Sequence, residues 1–493
     1  MTPALLIGAL ILIVCIAAVR LSTTTGLPSL LLYLGVGLLV GEGGLGIQFE
    51  DQHLTQVLGY AALILILTEG GFTTRWASMR RAVAPALVLS TLGVVISVLV
   101  VGSVTHVVLH LDWTTAMLVG AIVSSTDAAA VFSVLRNVPL PRRLSGLLEA
   151  ESGFNDAPVV LLVVALSVRA ADPATADSML IVALLTILEL AGGAAVGLVT
   201  GALGGRFLRG AAAGSSGLFS IGVVAVPVLA YAAAATIHTS GFLACYLAAL
   251  VLGNMALPHR TSAQAFVTGV GWLAQIGLFV LLGLLATPSG FARQILPAIV
   301  VGLTLLLLAR PLSVVASVSW FGVGWRDQAF LSWAGLRGAV PIVLATVPVT
   351  AAAPHVSWIF DLVFVLVVLF TLVQAPLIPV VARRLGVAEG YRSRGTSVES
   401  TSLDELRASL LQVDVGATSR LHGVAIFELR LPEGANVTLI VRDHRAFVPR
   451  SRTTLRHNDQ LLIVATDAAR ERTEKLIHEV SAGGRLAAWR ARS

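Results

Sequence analysis

The sequence predicts an all-α polytopic membrane protein that ends in a small cytosolic α+β domain. Hydrophobic residues make up 56% of the 493 residues and charged residues only 12%, whereas soluble proteins carry about 25% charged residues. Apolar runs of about 20 residues, the length that a helix needs to cross a bilayer, recur from Ala4 to Ala382. These runs do not alternate between apolar and polar residues, as the strands of a membrane barrel would.

Glycines, prolines and charge clusters divide the apolar region into about thirteen predicted spans, which form a transmembrane domain over residues 1–384. The predicted spans are residues 4–20, 24–46, 54–74, 82–110, 113–136, 143–169, 178–206, 216–236, 240–257, 264–287, 293–320, 327–351 and 356–382.

Basic residues predict the orientation of these spans. They fall in every second connection and after the last span, namely Arg20; Arg75, Arg80 and Arg81; Arg136, Arg142 and Arg143; Arg206 and Arg209; Arg260; Arg326; and Arg383 and Arg384. Because arginine and lysine are enriched in cytoplasmic loops, this pattern predicts an inner-membrane protein with its N-terminus outside and its C-terminus in the cytoplasm. The formal net charge of +6 is therefore an orientation signal and does not indicate binding of nucleic acid.

The composition becomes polar after the last span. Residues 385–414 are typical of a linker, and residues 415–480 are typical of a soluble α+β module. The pattern predicts strands over 424–431, 437–441 and 461–465, and a final helix capped by Asp467.

Three charged residues fall near the middle of predicted spans. Asp156 lies at the midpoint of the sixth span, Asp127 just past the middle of the fifth, and Arg337 near the middle of the twelfth. A charge at this depth costs roughly 2.5–3.5 kcal/mol on insertion scales, so such residues usually face a cavity or a partner. The sequence therefore predicts a polar site at mid-membrane.

Helical spacing orders the polar residues of the sixth span. Ser152 and Asp156 lie four residues apart and share one face, while Glu151 and Asn155 share the adjacent face. The first pair places a hydroxyl beside the carboxyl group. The second pair forms a polar stripe that suits contact with a neighbouring helix.

The fifth and twelfth spans are predicted to be interrupted. The cluster 124–127, Ser-Ser-Thr-Asp, competes for backbone hydrogen bonds, and Gly335, Gly338 and Pro341 break the twelfth span. Unwound backbone at this depth is tolerated only where it lines a cavity or is buried in protein. The two spans run in opposite directions, which fits an inverted repeat that matches spans one to six with spans eight to thirteen.

Three motifs carry a resemblance to a known family. SSTDAAAVF, then ESGFNDAP, and far downstream GLRGAVPI resemble the monovalent cation:proton antiporters of the NhaP type, over residues 1–384. The resemblance implies thirteen spans, crossed unwound helices, a homodimer and no cofactor besides the transported cation and H⁺.

The resemblance also implies a set of site residues. The cation and the proton would bind at Asp156, Ser152, the Asp127 side chain and the Thr126 carbonyl. Supporting residues would be Asn155, Glu151 and Arg337, with Glu69 near the cytoplasmic funnel. Glu151 and Arg337 are expected to form a structural ion pair. One departure from the family is Ala157 in place of proline, although Pro158 follows at once.

The tail over residues 423–465 resembles the C-terminal, TrkA-C-like half of the regulator-of-potassium-conductance modules. This resemblance implies a dimeric regulatory unit for residues 415–480 that binds a nucleotide or another small molecule. It favours K⁺ over Na⁺ as the transported cation. The four arginines of this region could bind an anion or lie on a solvated strand face, namely Arg442, Arg445, Arg450 and Arg452.

The mechanism expected from these residues is alternating access. Proton and cation compete for the buried carboxylate of Asp156, and an empty charged site cannot cross the membrane. Because Asn155 is neutral where a second carboxylate would titrate, the sequence predicts electroneutral exchange of one proton per cation.

Other functions are weighed beside this one. The nearest alternative is a Na⁺/H⁺ antiporter with the same site, since oxygen ligands suit both ions. Asp127 and Asp156 could form an intramembrane protease dyad, but neither follows a Gly-x-Gly sequence. A ligand-gated K⁺ channel would require a TVGYG-like filter, which this sequence lacks. The Asn-Asp motif disfavours a transporter of an organic substrate. Glu189 and Arg310 also lie within predicted spans, and packing is the default role for both.

Overall fold

A computed structural model describes residues 2–25, 28–46, 51–127, 130–131, 134, 140–172, 179–211, 215–387, 408–416, 419–442 and 445–484. The chain forms two compact units, Met1–Arg392 and Ser393–Ser493. The first unit is helical and the second contains a small sheet.

The helices of the first unit follow the predicted spans in order. They are α1 Thr2–Thr25, α2 Ser29–Val40, α3 Gln52–Thr73, α4 Trp76–Met79, α5 Val83–Val88, α6 Val94–Leu109, α7 Trp113–Ile122, α8 Arg142–Ala171, α9 Met179–Ala211, α10 Ser216–Thr236, α11 Gly241–Asn254, α12 Arg260–Leu285, α13 Pro288–Thr304, α14 Arg310–Val318, α15 Trp325–Trp333, α16 Ala339–Leu344, α17 Val347–Thr350 and α18 Trp358–Arg384. Single π-helical turns join α5 to α6 and α13 to α14.

Eight helical segments of the described chain are long and apolar enough to cross a membrane. Five shorter apolar helices lie at the positions of the remaining predicted spans, namely Leu6–Arg20, Ser29–Val40, Trp113–Ile122, Gly241–Asn254 and Ala339–Thr350. The predicted polytopic helical fold is therefore confirmed. The count of thirteen crossings stays a prediction.

The predicted interruptions of the fifth and twelfth spans are both present. Helix α7 ends at Ile122, and a non-helical segment over residues 334–338 separates α15 from α16. The two breaks meet, because the Asp127 backbone N–H donates a hydrogen bond of 2.8 Å to the Leu336 carbonyl. A backbone donor of one interrupted span is thus hydrogen-bonded to a backbone acceptor of the other.

The predicted inverted repeat gains support from a second pair of irregularities. The repeat matches the fourth span with the eleventh, and each of these contains one π-helical turn, at Leu89–Gly93 and at Leu305–Ala309. It also matches the fifth span with the twelfth, which are the two interrupted spans. Such turns insert an extra residue into a helix and occur frequently at functional sites.

The second unit contains a four-stranded antiparallel sheet. Its strands are β1 Ala408–Asp414, β2 Ala435–Arg442, β3 Arg445–Phe447 and β4 Gln460–Thr466, in the order β1-β4-β2-β3, and helix α19 follows at Asp467–Gly483. Arg442 donates two hydrogen bonds of 2.7 Å to Asp459. Burial raises the pKa of Asp459, but these bonds and one from the Arg456 backbone N–H outweigh it, so the pKa lies below its usual value.

Three expectations for this unit are corrected. A strand was expected over 424–431, but the segment contains a 3₁₀ turn at Ile426–Leu429. Strand β1 lies inside the segment predicted as a linker and pairs with β4, so the sheet begins before residue 415. Helix α19 starts at Asp467, but its N-cap is Thr466 and no side chain caps it. Residues 388–407 of the predicted linker lie outside the described residues.

Candidate cation-binding site

The predicted cation-binding residues line one cavity of about 410 Å³. Its wall combines α3, α8, α11, α12 and α16 with the interrupted segment after α7. The polar lining residues are Glu69, Thr73, Thr74, Thr126, Asp127, Glu149, Ser152, Asp156, Tyr246 and Gln275. Four carboxylates therefore line one cavity, which suits a hard cation that prefers oxygen ligands.

Asp156 lies on α8 and is 8% exposed, at the wall of this cavity. The Ser125 hydroxyl donates a hydrogen bond of 2.6 Å to its Oδ1. Ser152 lies one turn earlier on α8 and lines the same cavity, as the spacing predicted. Helix α8 continues through Ala157 and Pro158 without a break.

Asp127 reaches the cavity from the break that follows α7. Its Oδ1 accepts a hydrogen bond of 3.2 Å from the Ala130 backbone N–H. A Cβ atom at Gly338 would overlap the Asp127 carboxylate. Glycine at 338 therefore allows the second break to approach this side chain.

A buried network lies beside the cavity. The Asn155 amide donates to the Thr126 hydroxyl at 2.6 Å, and that hydroxyl donates to Glu151 Oε1 at 3.3 Å. Glu151 and Asn155 are 2% and 1% exposed, and neither lines the cavity. The two faces of α8 predicted from spacing therefore differ in surroundings: Asp156 and Ser152 face the cavity, and Glu151 and Asn155 face protein.

The expected ion pair between Glu151 and Arg337 is wrong. Glu151 pairs instead with Arg310 of α14: Nη2 donates to Oε2 at 2.8 Å and Nη1 donates to Oε1. Arg310 is 5% exposed, so this is a buried bidentate pair. The same contact corrects the expectation that Arg310 serves only in packing.

Arg337 satisfies backbone carbonyls. Its Nε donates to the Val123 carbonyl at 3.0 Å, and its Nη1 donates to the Gly335 carbonyl. Both carbonyls belong to interrupted segments, where regular helical acceptors and donors are missing. The Arg337 guanidinium therefore donates to carbonyls of the unwound backbone and not to Glu151.

Glu69 of α3 lines the cavity together with Asp156, and its place in a cytoplasmic funnel stays a prediction. Sequence reasoning assigned no role to Glu149 and Ser125, and only a packing role to Arg310. Ser125 lies inside the first motif, Glu149 lies two residues before the second, and Arg310 is a charge within an apolar span. The contact between Glu151 and Arg310 joins residues 159 positions apart, and helical periodicity holds no information about it.

Comparisons with known proteins match both the helical region and the C-terminal region of this chain. The sequence model of the transmembrane sodium/hydrogen exchanger family matches residues 9–384, and that of the TrkA-C domain matches residues 410–478. The K(+)/H(+) antiporter NhaP2 of Shewanella oneidensis is 35% identical over 479 residues, which cover 96% of this chain and 83% of that protein.

One further relative and one solved structure carry names that mention sodium. The Na(+)/H(+) antiporter ApNhaP of Aphanothece halophytica is 26% identical over 443 residues, covering 84% of this chain and 82% of that protein. The structure of the sodium proton antiporter MjNhaP1 from Methanocaldococcus jannaschii has the same fold, with a TM-score of 0.68 and 23% identity. It covers 79% of this chain and 100% of that chain.

The buried pair predicts an asymmetric response to substitution. Arg310→Gln leaves the Glu151 carboxylate buried without its bidentate partner, and we expect a loss of about 3–5 kcal/mol in the free energy of unfolding. The double variant Glu151→Gln/Arg310→Gln removes both charges and should recover much of that loss. Thermal unfolding of the purified protein in detergent measures both effects.

The matched control for this experiment is Arg293→Gln. Arg293 is an exposed arginine on the preceding helix α13, and we expect no more than a small change. A double variant as unstable as Arg310→Gln alone would show that the charge pairing is unimportant.

Proposed function

The chain belongs to the sodium/hydrogen exchanger family and is a cation:proton antiporter, and from this premise we propose that it exchanges K⁺ for H⁺ across the inner membrane. The alternative is Na⁺/H⁺ exchange at the same site. The observation that carries the proposal is the cavity in which Asp156, Asp127, Ser152 and Thr126 meet.

Asp156 binds proton and cation alternately in this proposal. Its carboxylate, the Ser152 hydroxyl, the Asp127 carboxylate and the Thr126 carbonyl supply oxygen ligands to a dehydrated monovalent ion. A proton on Asp156 removes the central ligand charge and releases the cation. The two substrates therefore compete, and the apparent KM for the cation rises as proton concentration rises.

Alternating access couples the two fluxes. Movement of the part that bears Asp156 exposes the carboxylate to one side and then to the other. The bare carboxylate is too costly to carry through the membrane, so the movement occurs only with a proton or a cation bound. The arginines at the connections after α3 and before α8 support a cavity mouth on the cytoplasmic side, with the N-terminus outside and the C-terminus in the cytoplasm.

The TrkA-C domain supports K⁺ as the cation, as does the 35% identity with a protein named as a K(+)/H(+) antiporter. We assign a regulatory role to this domain, which would bind a small molecule such as a nucleotide. A homodimer is the assembly that we expect.

The cation is identified by comparing alkali ions in proteoliposomes that contain a pH-sensitive dye. We expect K⁺ and Rb⁺ to release trapped protons at lower concentrations than Na⁺ and Li⁺, because the proposal assigns K⁺ to the site. Equal concentrations of choline chloride control for leakage. A stronger response to Na⁺ and Li⁺ establishes the alternative, Na⁺/H⁺ exchange.

Asp156→Asn should abolish this exchange, because the amide cannot alternate between a charged and a protonated form. The variant keeps the size of the side chain, so its unfolding temperature should stay near that of the native protein. Asp361→Asn is the matched control, since Asp361 lies at the start of α18 and does not line the cavity. Cation-driven proton flux in Asp156→Asn would remove this residue from the mechanism.

Exchange should be electroneutral, with one proton per cation. Asn155 is neutral beside Asp156, so only one carboxylate of this pair titrates. A cation gradient applied to proteoliposomes on a solid-supported membrane should then give no net current, while the dye reports exchange in the same preparation. A current that reverses with the gradient and disappears in Asp156→Asn would contradict this stoichiometry.

A further inference from the structure

A second cavity lies next to the cation site and has the opposite charge. It has a volume of about 820 Å³, and four arginines line it: Arg75, Arg80, Arg81 and Arg143. We call it the arginine vestibule. Glu149 lines both this cavity and the cation site, so the arginine vestibule lies beside the route between water and Asp156.

The charge of the arginine vestibule works against cation entry. Glu149 is the single carboxylate among its described lining residues. Within the described chain, Arg80, Arg81 and Arg143 form no ion pair. Clustered positive charge repels an approaching cation and attracts anions. An antiporter with this entrance therefore gains from an anion that neutralises the arginines.

The arginines suit a phosphate group. A guanidinium presents paired N–H donors whose spacing matches phosphate oxygens, and it is less strongly hydrated than an ammonium. Arg80 and Arg81 are exposed on the turn between α4 and α5. The arginine vestibule thus offers several such donors around a space larger than the cation cavity.

The segment that carries Arg75 is held in place on its other side. The Trp76 backbone N–H donates to Asn254 Oδ1 at 2.8 Å, and Asn254 Nδ2 donates to the Thr74 carbonyl at 2.9 Å. These bonds clamp the end of α3 and the start of α4 to α11. The position of Arg75 is therefore built into the fold.

Tryptophans place the arginine vestibule at the level of lipid headgroups. Trp76 directly follows Arg75 and is 46% exposed. Arg143 donates to the Phe321 carbonyl at 2.8 Å, next to Trp320, which is 85% exposed. Exposed tryptophans concentrate at the boundary between membrane and water, and basic pockets between helices on the cytoplasmic side bind anionic headgroups.

We propose that the arginine vestibule binds the phosphate of an anionic lipid headgroup. The bound phosphate offsets the guanidinium charges and lets cations reach Glu149 and the site beyond it. Binding itself is independent of the proposed function, whereas its effect on transport rests on that function.

Binding is tested with the variant Arg80→Gln/Arg81→Gln. The control is Arg383→Gln/Arg384→Gln, which removes an equal charge from an adjacent, exposed pair at the end of α18. Phosphatidylglycerol added to purified protein in detergent should raise the unfolding temperature of the native protein and the control. Phosphatidylcholine should not, and Arg80→Gln/Arg81→Gln should lose most of the shift.

Two results of the binding test would overturn the proposal. An equal shift in Arg80→Gln/Arg81→Gln would place the lipid elsewhere. An equal shift with glycerol phosphate at the same concentration would show that the site takes a soluble phosphate and that the lipid is not its ligand.

The effect on transport is measured in phosphatidylcholine vesicles with and without phosphatidylglycerol. We expect the anionic lipid to lower the apparent KM for the cation several-fold in the native protein and in the control variant, and to have a clearly smaller effect in Arg80→Gln/Arg81→Gln. An equal lowering of the apparent KM in Arg80→Gln/Arg81→Gln and in the control variant would be an effect of surface potential. It would overturn this part of the proposal. If neither the native protein nor the variants exchange cations with or without phosphatidylglycerol, the proposed function is wrong. The binding test still shows whether the arginine vestibule binds the lipid.

Discussion

Two helices stop halfway through the transmembrane unit, and the rest of the site depends on how their backbone groups are satisfied. A free N–H or C=O at this depth costs several kcal/mol, since no lipid group replaces the lost partner. The Asp127 N–H bonds to the Leu336 carbonyl, and Arg337 donates to the carbonyls of Val123 and Gly335. The crossing is thus held by backbone and one guanidinium, which leaves the Asp127 and Asp156 carboxylates facing the cavity.

The buried pair of Glu151 and Arg310 links this crossing to the surrounding helices. Glu151 accepts from Thr126 at the first break, while Arg310 also donates to the Leu331 carbonyl just before the second break. The π-helical turn at Leu305–Ala309 directly precedes Arg310, and the turn at Leu89–Gly93 contains Ser90, which donates to the Glu151 carbonyl. Both irregular turns therefore adjoin the same ion pair. Because a buried pair is costly unless its geometry is met, we expect it to favour one arrangement of the five spans that carry these residues.

Periodicity and punctuation were sufficient to predict the spans, the two interruptions and the two faces of α8. Each of these follows from residues near one another in the chain, as in the spacing of Ser152 and Asp156. The partner of Glu151 could not be found in this way. Arg310 and Arg337 are both arginines within apolar spans, and the choice between them depends on which carbonyls the unwound segments expose. The strand expected at 424–431 failed for a similar reason, since its apolar residues pack as a 3₁₀ turn against a core formed by distant strands.

The charges at the crossing of the two interrupted spans support the proposed stoichiometry. At the crossing, the half-buried Asp127 and the buried Asp156 and Glu151 supply three negative charges, and Arg310 and Arg337 supply two positive charges, so these five ionised residues carry one net negative charge. One proton or one monovalent cation makes them neutral. Either occupied form can then move within the membrane at similar cost, whereas the empty form retains the charge that the bilayer disfavours. A second ion of either kind would restore a net charge to these five residues, and this balance supports the proposed exchange of one proton per cation.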